Sequence, residues 1–205
     1  MAPRTPAKPK GSTSPKTILV TVGTTKFDDL VKAVDDAEFA AAAVAKGYTH
    51  LKVQHGAGAY APHNLIGVGE ASGVAASGLT VEFFDYAPSL DMEGATLVIS
   101  HAGSGSIFEA LSIGRPLIVV PNPALMDNHQ AELGSHLAQL GHLVCSTPAS
   151  LTSALTKLDA SALEPYAAEG AASGRPAAAG IAAAIDKVVF QSCVQTPVIA
   201  ACSAC

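Results

Sequence analysis

The run Leu97-Val-Ile-Ser-His-Ala-Gly-Ser-Gly-Ser-Ile-Phe-Glu109 constrains the fold more than any other stretch of the chain. A short apolar strand breaks at once into a Gly/Ser turn and then into helical spacing. Such a turn leaves backbone N–H groups and small side chains where a phosphate can sit. The order recurs upstream. Thr17-Ile-Leu-Val-Thr-Val22 is a β-branched apolar run ending at Gly23, and Phe27, Leu30, Val31 and Val34 follow at helical spacing.

The alternation continues along the chain. Further strands are expected over 49–54, 79–84, 95–100, 116–121 and 142–145. Helices are expected over 37–46, 104–113, 128–140 and 148–158, three of them closed by Gly47, Gly114 and Gly141. Pro88 to Gly94 reads as a short helix or turn, and Gly56 to Gly78 as loop. Nearly continuous apolar strands alternating with helices predict an α/β fold: a Rossmann-like, doubly wound, mostly parallel sheet covered on both faces. The turns after Val22, Phe84, Ser100 and Pro121 then share the carboxyl edge of the sheet, where such folds bind ligands.

Three segments are expected: a basic, disordered arm over 1–16, the folded domain over 17–158, and an Ala-rich extension over 159–205. Within the extension, Ile181, Ile185, Val188 and Val189 mark a candidate docking helix over 177–190, followed by a flexible tail with Cys193, Cys202 and Cys205. Only 14% of the 205 residues are charged and the net charge is −5, which argues against a nucleic-acid partner. No apolar run approaches the ~18 residues of a membrane span, and the first residues hold no signal-peptide core, so a cytoplasmic protein is expected. The four cysteines are not spread as a disulfide framework.

In the central turn, Gly103 and Gly105 allow close backbone approach, while Ser104 and Ser106 can cap the helix or donate to phosphate oxygens; an ordinary strand-to-helix turn has the same composition. Glu109, one helical turn on, can accept two ribose hydroxyls, or can be a solvated helix glutamate. Asn128, His129 and Gln130 open the next helix with groups suited to sugar hydroxyls, although Asp127 or Asn128 can equally be its N-cap. Gly23, Thr24 and Thr25 form a second small-residue turn able to donate to a diphosphate. His101 sits within the first motif, but no sequence feature marks it as a general base. Asp28 and Asp29 suit the helix dipole better than a metal, and no metal site is expected.

Val20-Thr-Val-Gly-Thr-Thr25 with Phe27-Asp-Asp-Leu30, then Val98-Ile-Ser-His-Ala-Gly-Ser-Gly-Ser106 with Glu109, then Asn128-His-Gln130, together resemble the Alg13 family. The likeness runs from about Ile18 to Leu155, and Gly47-Tyr48, Gln54 and Gly141-His142-Leu143 agree with it. It implies the donor-binding C-terminal half of a GT-B glycosyltransferase related to bacterial MurG. It further implies an enzyme that works with a membrane-anchored Alg14-like subunit at the cytosolic face of the endoplasmic reticulum. The implied reaction is inverting transfer of N-acetylglucosamine from UDP-GlcNAc to GlcNAc-diphosphodolichol, the lipid-linked acceptor, without metal or cofactor.

By the same likeness Glu109 would hold the ribose, and Asn128, His129 and Gln130 the sugar. Gly103 to Ser106 with Gly23 to Thr25 would hold the diphosphate, and the Phe84-Asp85-Tyr86 turn would lie against uracil. The sequence departs from the family at Gln54-His-Gly-Ala-Gly58, where Ala57 stands in place of an arginine and an exposed His55 is a conceivable substitute. Two other readings compete. A self-sufficient or non-catalytic UDP-sugar-binding protein would need no partner, but a whole GT-B enzyme requires two α/β domains. A flavodoxin-like or NAD-binding protein fits the topology but requires a different fingerprint: no G-x-G-x-x-G follows the first strand, and no acidic residue is evident at the ribose-binding end of a second.

Overall fold

The computed structural model describes residues 15–87, 89–124 and 129–166, and all that follows concerns these. The arm before residue 15, the candidate docking helix and the cysteine-bearing tail lie outside the described residues. Seven strands form one sheet: β1 (Thr17–Thr21), β2 (His50–Gln54), β3 (Ser72–Val74), β4 (Thr80–Phe84), β5 (Leu97–Ser100), β6 (Leu117–Val119) and β7 (Val144–Cys145). Their order is β3-β4-β2-β1-β5-β6-β7, and every pairing is parallel except β3 with β4. The doubly wound expectation is therefore met. The chain runs outward from β1 to β4, then crosses back to place β5 on the other side of β1. This makes the β1–β5 boundary the topological switch point.

Helices α1 (Asp28–Val34), α2 (Ala37–Ala45) and α5 (Leu151–Lys157) cover one face, and α3 (Ser104–Ser112) and α4 (His129–Gln139) the other. The inward side chains alternate along each strand as the pleat requires. Ile18, Val20, Leu51, Val53, Val81, Phe83 and Ile99 pack with Leu30, Val34, Phe39, Leu151 and Leu155. Leu19, Val98, Leu117 and Val119 pack with Ile107, Phe108, Leu111, Leu133 and Leu137. Every residue of β1, β5 and β6 is buried, which explains their unbroken apolar character.

Coverage of both faces does not extend to the β2–β4 end of the sheet. There the strands alternate, with Leu51, Val53, Val81 and Phe83 inward and Lys52, Glu82 and Phe84 on the opposite face. The crossover from β4 to β5 forms no helix. It leaves a groove of about 400 Å³ whose floor includes Leu19, Lys52, Glu82 and Phe84, with Tyr86 and Leu90 at its side. Lys52 and Glu82 pair across it at 3.9 Å. The other difference is β3, which lies inside the stretch read as loop. It is three residues of Ser-Gly-Val without apolar alternation, formed because a hairpin closes it onto β4.

Candidate functional site

Two turns meet at the switch point, where Thr21 and Ser100 stand side by side at the carboxyl ends of β1 and β5. The first turn leaves β1 through buried Val22 and reverses at Gly23, whose φ of +61° a side chain would disfavour. Most of its donors turn inward. The Gly23 N–H donates to Thr21 Oγ1 at 3.1 Å, and Thr25 donates both its hydroxyl (2.7 Å) and its N–H (3.2 Å) to the Val22 carbonyl. Thr24 is the exposed member. The turn thus presents fewer free donors than its residue types suggest.

The second turn is strained. After the buried His101, Ala102 adopts φ +75° while fully buried, a conformation that costs an alanine about 1–2 kcal/mol. No sequence signal marks it, since glycine is the residue expected there. Gly103 is then the N-cap of α3, and no side chain caps the helix. The capping roles expected of Ser104 and Ser106 are not taken up. The consequence is an open helix end: the first-turn N–H groups, Ser104 to Ser106, lack intrahelical partners and point along a dipole that favours negative charge. Ser104 and Gly105 are exposed and Ser106 half-buried.

Between the two turns lies the imidazole of His101, 6% exposed. Its backbone N–H donates to the Thr21 carbonyl at 3.1 Å, and Nδ1 lies 3.3 Å from the same oxygen. A carbonyl only accepts, so Nδ1 carries the proton and Nε2 keeps its lone pair. Burial lowers the pKa from the ordinary 6.5, with the Thr21 bond partly offsetting it, which favours the neutral ring.

Glu109 is exposed on α3, three residues beyond Ser106 and so on the same helix face. Gln130 is half-buried at the start of α4, and its Oε1 has no protein partner; the buried Ser100 Oγ at the end of β5 is in the same condition. Each such group is costly until paired. Asn128 lies outside the described residues, and His129 is placed only as the first residue of α4.

Tyr86, 62% exposed, follows β4. The Phe84 and Asp85 carbonyls beside it already accept the N–H groups of His55 (3.0 Å) and Gly56 (3.2 Å). His55 is not the exposed group expected as a stand-in for the family arginine. Its side chain is 21% exposed and Nε2 pairs with Asp85 Oδ1 at 3.1 Å. Ala57 is exposed, with its N–H on the Thr25 carbonyl at 3.4 Å, so a longer side chain there would project beside the first turn.

Sequence reasoning gave no role to Asn122, Asp35 or Thr21. Asn122, in the loop after β6, donates through Nδ2 to the Lys26 carbonyl at 2.9 Å and accepts the Ala124 N–H, tying the β6–α4 loop to the β1–α1 loop. Its flanking prolines were the available signal. Among the described residues no three His, Cys, Asp or Glu gather as a metal site, and no helix is long and apolar enough to cross a membrane.

Residues 17–187 match the family described as glycosyltransferase family 28 C-terminal domain. The chain is 40% identical over 139 residues to the human UDP-N-acetylglucosamine transferase subunit ALG13, covering 67% of this chain but 11% of that protein. It is 38% identical over 164 residues to the Eremothecium gossypii subunit of the same name, covering 70% of this chain and 79% of that one. An NMR solution structure of ALG13 superposes with a TM-score of 0.55 at 27% identity, over 76% of this chain and 90% of that chain. Acinetobacter baumannii MurG shares the fold, with a TM-score of 0.56 at 18% identity over 88% of this chain and 51% of MurG. The chain therefore belongs to the glycosyltransferase family 28 C-terminal domain family and, within it, to the ALG13 family of UDP-N-acetylglucosamine transferase subunits.

Proposed function

We propose that this chain is the donor-binding subunit of an inverting glycosyltransferase, moving N-acetylglucosamine from UDP-GlcNAc to a lipid-linked GlcNAc-diphosphate acceptor. The observation that carries the reading is the uncapped N-terminus of α3 at the switch point, behind a strained turn. That arrangement offers several N–H groups and a helix dipole to one anion.

In this reading the UDP diphosphate lies at Gly103 to Ser106, with Thr24 and the Gly23–Thr25 turn on its other side. Glu109 accepts the ribose hydroxyls, and Asn128, His129 and Gln130 hold the sugar; the unpaired Gln130 Oε1 supports that role. Tyr86 flanks the base. His101 backs the diphosphate as a neutral ring that adds no charge.

The reaction is a direct displacement. The acceptor hydroxyl attacks the anomeric carbon from the face opposite the diphosphate. The new C–O bond forms as the bond to the diphosphate oxygen breaks, and the hydroxyl proton passes to a base. The α3 terminus meets the charge that develops on departing UDP, which is where fixed dipoles lower a barrier. No acceptor-side residue or base is assigned to this chain. An Alg14-like membrane subunit at the cytosolic face of the endoplasmic reticulum supplies them, consistent with the chain matching one half of MurG in fold.

The test is GlcNAc transfer from UDP-GlcNAc to a GlcNAc-diphospholipid, with this chain alone and with a co-expressed Alg14-like partner. Activity is expected only with the partner, and turnover by the chain alone sinks the divided-enzyme reading. Glu109→Ala is expected to raise the donor KM at least tenfold in the assembled enzyme. An unchanged KM means the ribose assignment is wrong.

A further inference from the structure

We infer that Thr21 and Gln54 are positioning residues, a buried polar pair that holds both diphosphate-facing turns in their binding arrangement; the inference rests on the donor-site reading above. Thr21 is 0% and Gln54 1% exposed, and the Thr21 hydroxyl donates to Gln54 Oε1 at 2.6 Å. Polar side chains buried at the end of an apolar sheet cost free energy unless paired, and apolar residues could have filled the same space. Neither atom of the pair is placed to touch a ligand. What distinguishes the pair is how many parts of the site hang from it.

Thr21 Oγ1, while donating to Gln54, accepts the Gly23 N–H at 3.1 Å. The Thr21 carbonyl holds His101 twice, through its backbone N–H and through Nδ1. One residue thus anchors the β1–α1 turn with its side chain and the β5–α3 turn with its backbone. Gln54 fixes the rotamer of that side chain from β2.

The segment after Gln54 completes the hold. At Gly56 the two backbones touch, so that an added Cβ would stand 2.6 Å from the Thr25 carbonyl oxygen and 2.9 Å from that of Gly23. The Ala57 N–H donates to the same Thr25 oxygen. The Val22 oxygen is occupied by Thr25. The carbonyl oxygens of Val22, Gly23 and Thr25 are therefore all turned against protein. An anion at this edge is spared three repulsive dipoles only while the turn keeps this orientation, and the hydroxyl of Thr21 is its inner fastening.

The experiment compares UDP-GlcNAc affinity, by titration of the full 205-residue chain, for wild type, Thr21→Val, Thr21→Ser and Gln54→Met. Thr21→Val keeps the shape but strands the Gly23 N–H and Gln54 Oε1. It is expected to weaken binding about tenfold, with Thr21→Ser within about threefold of wild type and Gln54→Met weakened about threefold. In the assembled enzyme the donor KM is expected to rise while the acceptor KM holds. A folded Thr21→Val that binds within about twofold of wild type overturns the inference. So does a lowered melting temperature with unchanged donor affinity, which marks a purely structural pair. If Thr21→Val does not fold, Gln54→Met decides by the same criterion. A wild-type chain that does not bind UDP-GlcNAc overturns the donor-site reading itself, an outcome distinct from wild type binding and variants binding equally.

Discussion

The imidazole of His101 occupies the space that a side chain on Gly103 would need: a Cβ there would stand 2.8 Å from both Cε1 and Nε2. Gly23 is the opposite wall, where an added Cβ would come within 3.0 Å of Cε1. The ring is a wedge that sets the spacing of two turns, and the glycines are what admit it.

Gly103→Ala is therefore expected to destabilise the fold by about 1–3 kcal/mol, because a 6%-exposed ring has little room to retreat. Gly105→Ala is the control. It lies in the same motif, but an added Cβ meets nothing within 4 Å, so a change of no more than about 0.5 kcal/mol is expected. Denaturant midpoints of the two variants check this, and equal losses would show that the wedge is not what Gly103 serves.

The same burial gives His101 a pH signature. Its pKa is lowered from 6.5 chiefly by desolvation. The unfolded chain therefore takes up a proton at a pH where the folded chain does not. Stability rises with pH wherever the unfolded state binds more protons, so this contribution is complete above about 6.5 and is lost as pH falls below it. His101→Gln is expected to flatten that part of the profile. Denaturation from about pH 8 to about pH 5 tests the sign, and an unchanged slope in the variant would assign the dependence to other groups.

Asp35, 0% exposed at the C-terminus of α1, organises the loop that follows β2. Its carboxylate accepts the Tyr60 hydroxyl at 2.8 Å and the N–H groups of His63, Asn64 and Leu65 at 2.9, 3.1 and 3.0 Å. Asp35→Ala strands all four donors and is expected to cost about 3–5 kcal/mol. The Tyr60 phenol is pushed up to about 12, first by burial and then by its bond to Asp35 and the charge there. Asp35→Asn removes the charge, so the Tyr60 ionisation is expected to move back toward 10 in an ultraviolet titration. A phenol that stays near 12 would leave burial as the whole cause.

The readable parts of this chain are those set by local pattern. β1, β5 and β6 are legible because burial on both faces demands continuous apolar residues, and Gly47, Gly114 and Gly141 mark helix ends because each adopts positive φ. The convergence of the two Gly turns follows from parallel topology alone. What is hidden depends on distant partners. Thr21 looks like an ordinary β-branched strand residue until Gln54, 33 positions away, meets its hydroxyl. Asp35 looks like a helix-end aspartate until a loop about 30 residues on wraps it. The uncovered end of the sheet was present in the alternation of His50-Leu-Lys-Val-Gln54 and Thr80-Val-Glu-Phe-Phe84, which differs from the unbroken β1.

The open end of α3 makes stability and donor binding pull in opposite directions. Gly103 caps the helix with backbone alone, no acidic residue occupies the first turn, and Ser104 is exposed there. A carboxylate at this position favours the helix dipole, so Ser104→Glu is expected to stabilise the fold by about 0.3–1 kcal/mol. In the proposed site the same carboxylate sits beside the donor diphosphate and competes for its N–H groups, so UDP-GlcNAc binding is expected to weaken about tenfold or more. Raised salt is expected to narrow both effects, since the site is open to solvent. Ser104→Gln, of matching size without the charge, should leave stability near wild type and weaken donor binding less than Ser104→Glu, the difference between the two being the effect of the charge. A melting temperature that rises together with donor affinity would place the diphosphate elsewhere than the α3 terminus.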